Sequence, residues 1–280
     1  MVVAIKFPKV YFLLWVLFIA FSVRIKSRNG SVFNDNLKFL DEIDSLSLVV
    51  AHPDDEVMFF APTILELDSR LPPNVEFNVV CLSKGGADEL GDTRVQELKE
   101  SVNLLLANSK RQYQLQQHDY PDGHEETWDQ ESVQSTIKDS VLQGRRSSVL
   151  LTFDDKGVSK HVNHIACHEA VSNLVQDESN VKAALYLDSY GDNIVLKYSA
   201  FFWEIWKLTR DWFLHRVLPT SSYNENKPAT EITLMSDYSS YILSFASMLH
   251  SHKSQMVWFR YGWWTFSRFV FVNDLKVVNK

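Results

Sequence analysis

Four short apolar runs lie between residues 46 and 189. Residues 46–50, 75–83, 147–153 and 181–189 are short, nearly uncharged and rich in valine, leucine and alanine. Continuous runs of this length are typical of strands that are buried on both faces of a sheet. The sequence therefore predicts four core strands, of which the last closes the series.

Helical patterns lie between these runs. An apolar helix is expected after the first strand, as far as about Leu67, and another near residues 163–176. Residues 92–108 carry apolar side chains at helical spacing, with Asp92 or Thr93 as the expected N-cap. Strands that alternate with helices predict an α/β fold, a Rossmann-like and mostly parallel sheet with helices on both faces.

The N-terminus carries an uncharged apolar stretch. Residues 10–23 contain no charge over 14 positions and lie between Lys9 and Arg24. This length suits a signal anchor in a thin bilayer, a signal peptide cleaved near residues 20–22, or a buried helix. We favour the anchor.

The chain is accordingly divided into three parts. Residues 1–28 form the transmembrane anchor and its flank, residues 29–43 a linker, and residues 44–280 one α/β domain. Basic residues on the two sides of the anchor nearly balance, so the positive-inside rule does not decide its orientation. Asn29 begins a glycosylation sequon that matters only on the luminal side.

Composition narrows the class of protein. A chain of 280 residues with 45% hydrophobic content can bury one large core. A net charge of −7 argues against nucleic acid as a partner. The two cysteines, Cys81 and Cys167, lie inside apolar segments and are expected to be buried thiols, which indicates a reducing compartment.

Candidate metal ligands follow two of the predicted strands. His52, Asp54 and Asp55 come directly after the first, and His161 and His164 follow the strand at 147–153. Because strand ends meet at the carboxyl edge of a parallel sheet, these side chains are expected to lie together. His52, Asp55 and one of the two distant histidines would supply the three ligands of a catalytic zinc.

The same cluster contains groups for hydrolysis. Asp54, if it is not a ligand, can take the proton of an attacking water, and the second histidine can stabilise the oxyanion. Simpler interpretations remain: one acid can cap a helix, and an HxxH pair alone is weak. The six remaining histidines are expected to be surface or packed residues: His118, His124, His168, His215, His250 and His252.

Four segments resemble one enzyme family. Residues 51–60, 81–98, 152–164 and 254–273 look like the fungal type of N-acetylglucosaminylphosphatidylinositol de-N-acetylases of GPI-anchor biosynthesis. These belong to the wider LmbE-like zinc deacetylases. The likeness covers about residues 44–273 in the family's order.

The resemblance implies specific roles. His52, Asp55 and His164 match the zinc ligands, Asp54 the general base and His161 the histidine that stabilises the oxyanion.

Two further positions follow from the resemblance. Arg94 matches an arginine that faces the substrate, although a surface position on its helix is the alternative. Asn163 departs from bacterial relatives, which often carry an acid at this position. Any support that this acid gives to the metal ligands therefore has no equivalent carboxylate here.

The implied activity is hydrolysis of the N-acetyl group of N-acetylglucosaminyl-phosphatidylinositol, to glucosaminyl-phosphatidylinositol and acetate. Zinc is the expected cofactor, with other divalent metals possible. The resemblance also implies a single-pass protein of the endoplasmic reticulum membrane with its catalytic domain in the cytosol. Two rivals stay open: a secreted or luminal zinc amidase acting on another N-acetylated glycoside, and a catalytically silent tethered member that binds partners or lipid.

Aromatic and basic residues mix in two late segments, residues 201–218 and 257–271. Six of the eight tryptophans lie between Trp203 and Trp264. Such mixtures are typical of contact with a membrane interface, and an ordinary aromatic core is the alternative.

Overall fold

The computed structural model describes residues 2–86, 89–217 and 230–280, and the side chains of residues 8–86, 89–214 and 230–280. Among these residues one seven-stranded sheet forms, from β1 Ser45–Val50, β2 Glu76–Ser83, β3 Tyr113–Tyr120, β4 Ser148–Phe153, β5 Val181–Leu187, β6 Glu231–Met235 and β7 Val272–Asn279. Their order is β3-β2-β1-β4-β5-β7-β6. The first five are parallel, and β7 runs antiparallel to both of its neighbours, β5 and β6, so the predicted mostly parallel sheet is confirmed.

Helices surround this sheet. The described α-helices are α1 Val2–Ala20, α2 Ser22–Val32, α3 Asp55–Met58, α4 Ala61–Arg70, α5 Gly91–Leu105, α6 Gln130–Ile137, α7 Gly157–Lys160, α8 Val162–Asp177, α9 Ile194–Lys197, α10 Phe202–Val217, α11 Tyr238–Ser251 and α12 Trp258–Phe266. Helix α8 packs on β1, β4 and β5, and α4 contacts β6 and β7. Single turns of 3₁₀- or π-helix complete the chain at Phe33–Leu37, Lys38–Glu42, Lys138–Leu142, Lys253–Gln255 and Arg268–Val270.

The four predicted strands are β1, β2, β4 and β5, but β5 does not close the series. Its free edge pairs with β7, where Ala184 lies opposite Val278, and β6 follows beyond. The helix expected after β1 is broken into α3 and α4. Helix α5 begins at Gly91 after Leu90 and has no side-chain cap, so the expected caps are wrong.

The N-terminal apolar segment packs against the domain. Helix α1 buries Phe18, whose ring stacks on Phe201 at 4.7 Å between centroids. No single helix among the described residues is long and apolar enough to cross a bilayer. Among the same residues, one pair of consecutive helices, Pro8–Ala20 and Ser22–Glu42, meets the length and composition criteria for a membrane span when taken together. The two helices are bent by 61° relative to each other. The predicted linker is helical down to residue 42 and buries apolar side chains, while the division into domains stays a prediction.

Asn29 of the sequon is 1% exposed. Its amide nitrogen donates to the Glu66 carboxylate at 3.0 Å and to the Met235 carbonyl at 2.8 Å. A glycan on this nitrogen would break both hydrogen bonds and displace the packed chain. Cys81 and Cys167 are buried and free, as predicted.

Candidate metal centre and active site

The site forms where two neighbouring parallel strands end. Strands β1 and β4 pair directly and in parallel, with Leu48 opposite Leu151, so the segments that follow them begin at the same carboxyl end of the sheet. The ligand atoms of His52, Asp55 and His164 lie within 4.8 Å of one another there. The structure therefore brings together the three residues expected to hold the metal.

Asp55 is the fixed acid of this group. Its Oδ2 accepts hydrogen bonds from the backbone amides of Ala51, at 3.1 Å, and His52, at 2.8 Å. Burial by itself would raise the pKa of Asp55, but the imidazoles of His164 and His52 and the His52 amide hold that pKa below its usual value. Asp55 is thus a charged carboxylate oriented by backbone, as a metal ligand needs to be.

One ring nitrogen of His164 is left available. Its Nδ1 donates to the Gly157 carbonyl at 3.1 Å, which places the lone pair on Nε2. Nε2 is buried, lies 3.2 Å from Asp55 Oδ1 and has no hydrogen-bond partner, because the alignment is poor. A buried, unpartnered imidazole nitrogen beside a carboxylate fits a divalent metal.

His52 is oriented in the same sense. Its Nε2 lies 2.9 Å from Asp122 Oδ1 and 3.1 Å from Asn163 Oδ1, two acceptors that require a proton on this nitrogen. In the neutral ring Nδ1 then carries the lone pair, and it faces Asp55 Oδ2 at 3.7 Å. Asn163 thus contacts His52 through its amide oxygen, and the acid beside His52 comes from the loop after β3.

Asp54 is bound by an arginine and is not part of the ligand group. Its backbone has φ 114°, and its Oδ2 accepts from the Arg260 guanidinium at 3.1 Å. Burial raises the pKa of Asp54, aided by the neighbouring Asp55 and opposed by Arg260 and Arg94. A buried carboxylate with a raised pKa next to a metal-ligating group has the properties of a general base.

His161 caps the start of α8. Its Nδ1 accepts a hydrogen bond from the backbone amide of Asn163 at 3.3 Å, so the ring proton lies on Nε2. Burial, together with the neighbouring His52 and His164, lowers the pKa of His161 to about 4. The ring is therefore neutral at pH 7 and can act as an N–H donor. Its centroid lies 4.7 Å from that of His52.

Arg94 lies at the rim of this site and not on the outer surface of its helix. The guanidinium donates to the carbonyls of Gly85 and Pro53, both at 2.9 Å, and to Gln255 Oε1 at 2.8 Å. It lies 4.0 Å from Asp54 Oδ2. Its role toward a substrate stays a prediction.

Two site residues were missed from the sequence. Asp122 follows β3, a polar strand that shows no clear alternation, and Arg260 lies in residues 257–271, whose composition is compatible with membrane contact and with an aromatic core. The only available signal was the Pro-Asp-Gly turn of residues 121–123, which is common in loops of any kind.

A buried polar chain supports the site from behind. Glu56 accepts from His252 Nε2 at 2.7 Å, and His252 Nδ1 accepts from the Gln255 amide at 3.0 Å. Gln255 in turn holds Arg94, and the Asp54 amide donates to Glu56 at 3.1 Å. His252 is therefore a packed histidine, as expected, that links α11 to the site.

Replacing Gly157 by alanine is expected to lower the free energy of unfolding by about 2–4 kcal/mol. Gly157 has φ 54°, and an added Cβ would lie 2.9 Å from Ile165 Cγ1 and 3.0 Å from His164 Cβ. Denaturant unfolding measures the loss. The control Gly262→Ala, in α12 with open space around it, should leave stability unchanged or raise it by up to about 1 kcal/mol. Equal effects of the two substitutions would contradict this account.

Comparison with known proteins identifies similar chains. A family model described as PIG-L: GlcNAc-PI de-N-acetylase matches residues 47–175. The N-acetylglucosaminyl-phosphatidylinositol de-N-acetylase of Saccharomyces cerevisiae is 43% identical over 97% of this chain and 94% of its own length. A probable enzyme of that name from Schizosaccharomyces pombe is 33% identical over 84% of this chain and 87% of its own.

A solved structure shares the fold. The N,N'-diacetylchitobiose deacetylase from Pyrococcus horikoshii, solved with its inhibitor MPG, superimposes with a TM-score of 0.51 at 16% identity and covers 89% of each chain.

Proposed function

Because this chain belongs to the GlcNAc-PI de-N-acetylase family, we propose that it hydrolyses the N-acetyl group of N-acetylglucosaminyl-phosphatidylinositol. The products are glucosaminyl-phosphatidylinositol and acetate, an early step of GPI-anchor biosynthesis. The observation that supports this most directly is the convergence of His52, Asp55 and His164 at one sheet edge, beside a separate buried carboxylate.

Zinc is the proposed cofactor, held by His52 Nδ1, an Asp55 oxygen and His164 Nε2. Two imidazoles and one carboxylate are a normal ligand set for a catalytic zinc with one open position. When bound, the metal supplies Lewis acidity: it polarises the amide carbonyl and lowers the pKa of water from ~15.7 toward ~7.

The protein's own groups move the protons. Asp54 accepts a proton from the water as the water oxygen attacks the acetyl carbon. It later gives that proton to the leaving amine as the C–N bond breaks. His161, neutral at pH 7, donates its Nε2–H to the oxyanion. Arg260 and Arg94 hold Asp54 between them, at 3.1 and 4.0 Å, and Arg94 contributes to substrate binding.

The endoplasmic reticulum membrane, with the catalytic domain facing the cytosol, is the proposed location. Residues 1–28 serve as the anchor, residues 29–43 connect it, and residues 44–280 form the deacetylase domain. Two buried free thiols agree with a reducing compartment. The buried Asn29 amide argues against the luminal rival, since a glycan there would disrupt the fold.

Acetate release from N-acetylglucosaminyl-phosphatidylinositol tests this function. The purified full-length chain in detergent should release acetate and the free amine in equal amounts, lose this activity with a chelator, and regain it with about one equivalent of zinc per chain. Magnesium serves as the control metal. Full metal content without acetate release would favour the silent rival, and release from soluble glycosides alone would favour the luminal amidase.

A further inference from the structure

The large apolar side chains that the described residues expose are concentrated on a few neighbouring helices. Apart from Leu90, all of them lie on α1, α2 and α9–α12 or on residues that adjoin these helices. The helices contact one another: the Tyr11 hydroxyl of α1 donates to the Thr265 carbonyl of α12 at 2.6 Å, and α1 packs on α10. An exposed apolar surface that spans several packed helices marks an interaction site.

A groove of about 350 Å³ crosses this surface. It lies between α1 and the segment from α9 to α10, and α12 closes one end. Its walls are almost entirely apolar and include Val10, Leu14, Val195, Tyr198 and Phe266. No charged side chain lines it among the residues that the structure describes.

The groove adjoins a second cavity whose lining contacts the candidate active site. This cavity, of about 290 Å³, shares Tyr198 and Phe266 with the first and adds Trp263 and Arg260. The rings of Tyr198 and Trp263 meet edge to face, with centroids 6.1 Å apart. The Arg260 guanidinium reaches Asp54 Oδ2 at 3.1 Å. The path is thus apolar along the groove and then cationic at Arg260, which contacts the carboxylate next to the candidate metal ligands.

We propose that this groove binds an acyl chain of the lipid substrate while its amino sugar lies at the metal centre. The inference rests on the proposed function, and it assigns to the groove the selection of substrates that carry long acyl chains. The order of polarity along the path matches the order of groups in a phosphatidylinositol glycoside: acyl chain, phosphate, sugar. Arg260 stands at the junction, where a phosphate needs a cation.

Chain-length selectivity tests the groove. Full-length protein is assayed on N-acetylglucosaminyl-phosphatidylinositol with two hexadecanoyl chains and on its water-soluble dibutanoyl analogue. The double variant Val10→Glu with Val195→Glu places charge in the groove at positions that are 51% and 76% exposed. We expect kcat/KM to fall at least about tenfold on the long-chain substrate, as if about two methylene groups lost their burial, and to stay within about twofold on the dibutanoyl one.

The matched control is Val23→Glu with Ile242→Glu, two exposed aliphatic residues outside the groove, which should leave both substrates unaffected. A similar long-chain loss in the control would mean general adsorption to micelles and would overturn the groove. An equal loss on both substrates, or no loss on the long-chain one, would overturn it as well. If the unmodified chain cleaved neither substrate, the proposed function itself would fail.

Discussion

Replacing Asp54 by asparagine is expected to reduce acetate release by about 10²–10⁴-fold while the chain keeps its metal. The substitution removes the proton acceptor but preserves the size of the side chain. It also suits the backbone, because asparagine tolerates the positive φ of 114° at this position better than most residues. Steady-state kinetics and metal analysis of the same preparation measure the two effects.

The control for this variant is Asp177→Asn, at the exposed end of α8, which should leave both kinetics and metal content unchanged. Loss of the metal in the Asp54→Asn protein would mean that Asp54 is a ligand. Full activity would mean that another group accepts the proton.

Replacing His164 by alanine is expected to weaken metal binding by more than about 100-fold and to abolish turnover with it. The imidazole offers a buried Nε2 that no protein group satisfies, held in place by the Gly157 carbonyl, so its removal takes away one of three donors. The metal content after dialysis and the affinity for zinc in a competition assay measure the loss.

His168→Ala is the matched control, because His168 lies one turn later on the same helix. Its ring contacts the Phe153 carbonyl at 3.0 Å and Ser172 at 3.4 Å. This variant should keep its metal. A second set of possible metal ligands, His52, Asp122 and His161, also has its ligand atoms within 4.8 Å of one another. If His164→Ala retained metal at full stoichiometry, this second set would have to bind it.

Four of the five parallel strands could be predicted because they are buried and mostly apolar. Strands β1 and β4 carry no exposed residue, and their sequences are uncharged and mostly apolar, with only hydroxyl side chains among the polar ones. Strand β3 lies at an edge of the sheet and contains mostly polar, partly exposed residues, which leaves no such signal. Strands β6 and β7 come from a distant part of the chain, β7 antiparallel to both of its neighbours, and their pairing depends on contacts that no local pattern encodes.

The ligand group could be predicted for a related reason. Parallel strands gather their carboxyl ends, and so residues after β1 and β4 meet whatever their separation in sequence. Arg260 reaches the same place from a helix 206 positions after Asp54, and only the packing of α12 brings it there. Its aromatic neighbours in sequence indicate either membrane contact or an aromatic core, and neither interpretation predicts its proximity to the carboxylate.

The N-terminal helix bears on how such a protein can change over generations. A segment that only tethers a domain to a membrane can be exchanged for another of similar length and hydrophobicity. Here the helix also packs Phe18 against the rings of Phe201 and Phe271, with centroids 4.7 and 5.7 Å away, so a foreign tail would leave a cavity in the interior. The beginning of the chain and its enzymatic body are therefore expected to be inherited as one piece rather than shuffled as modules.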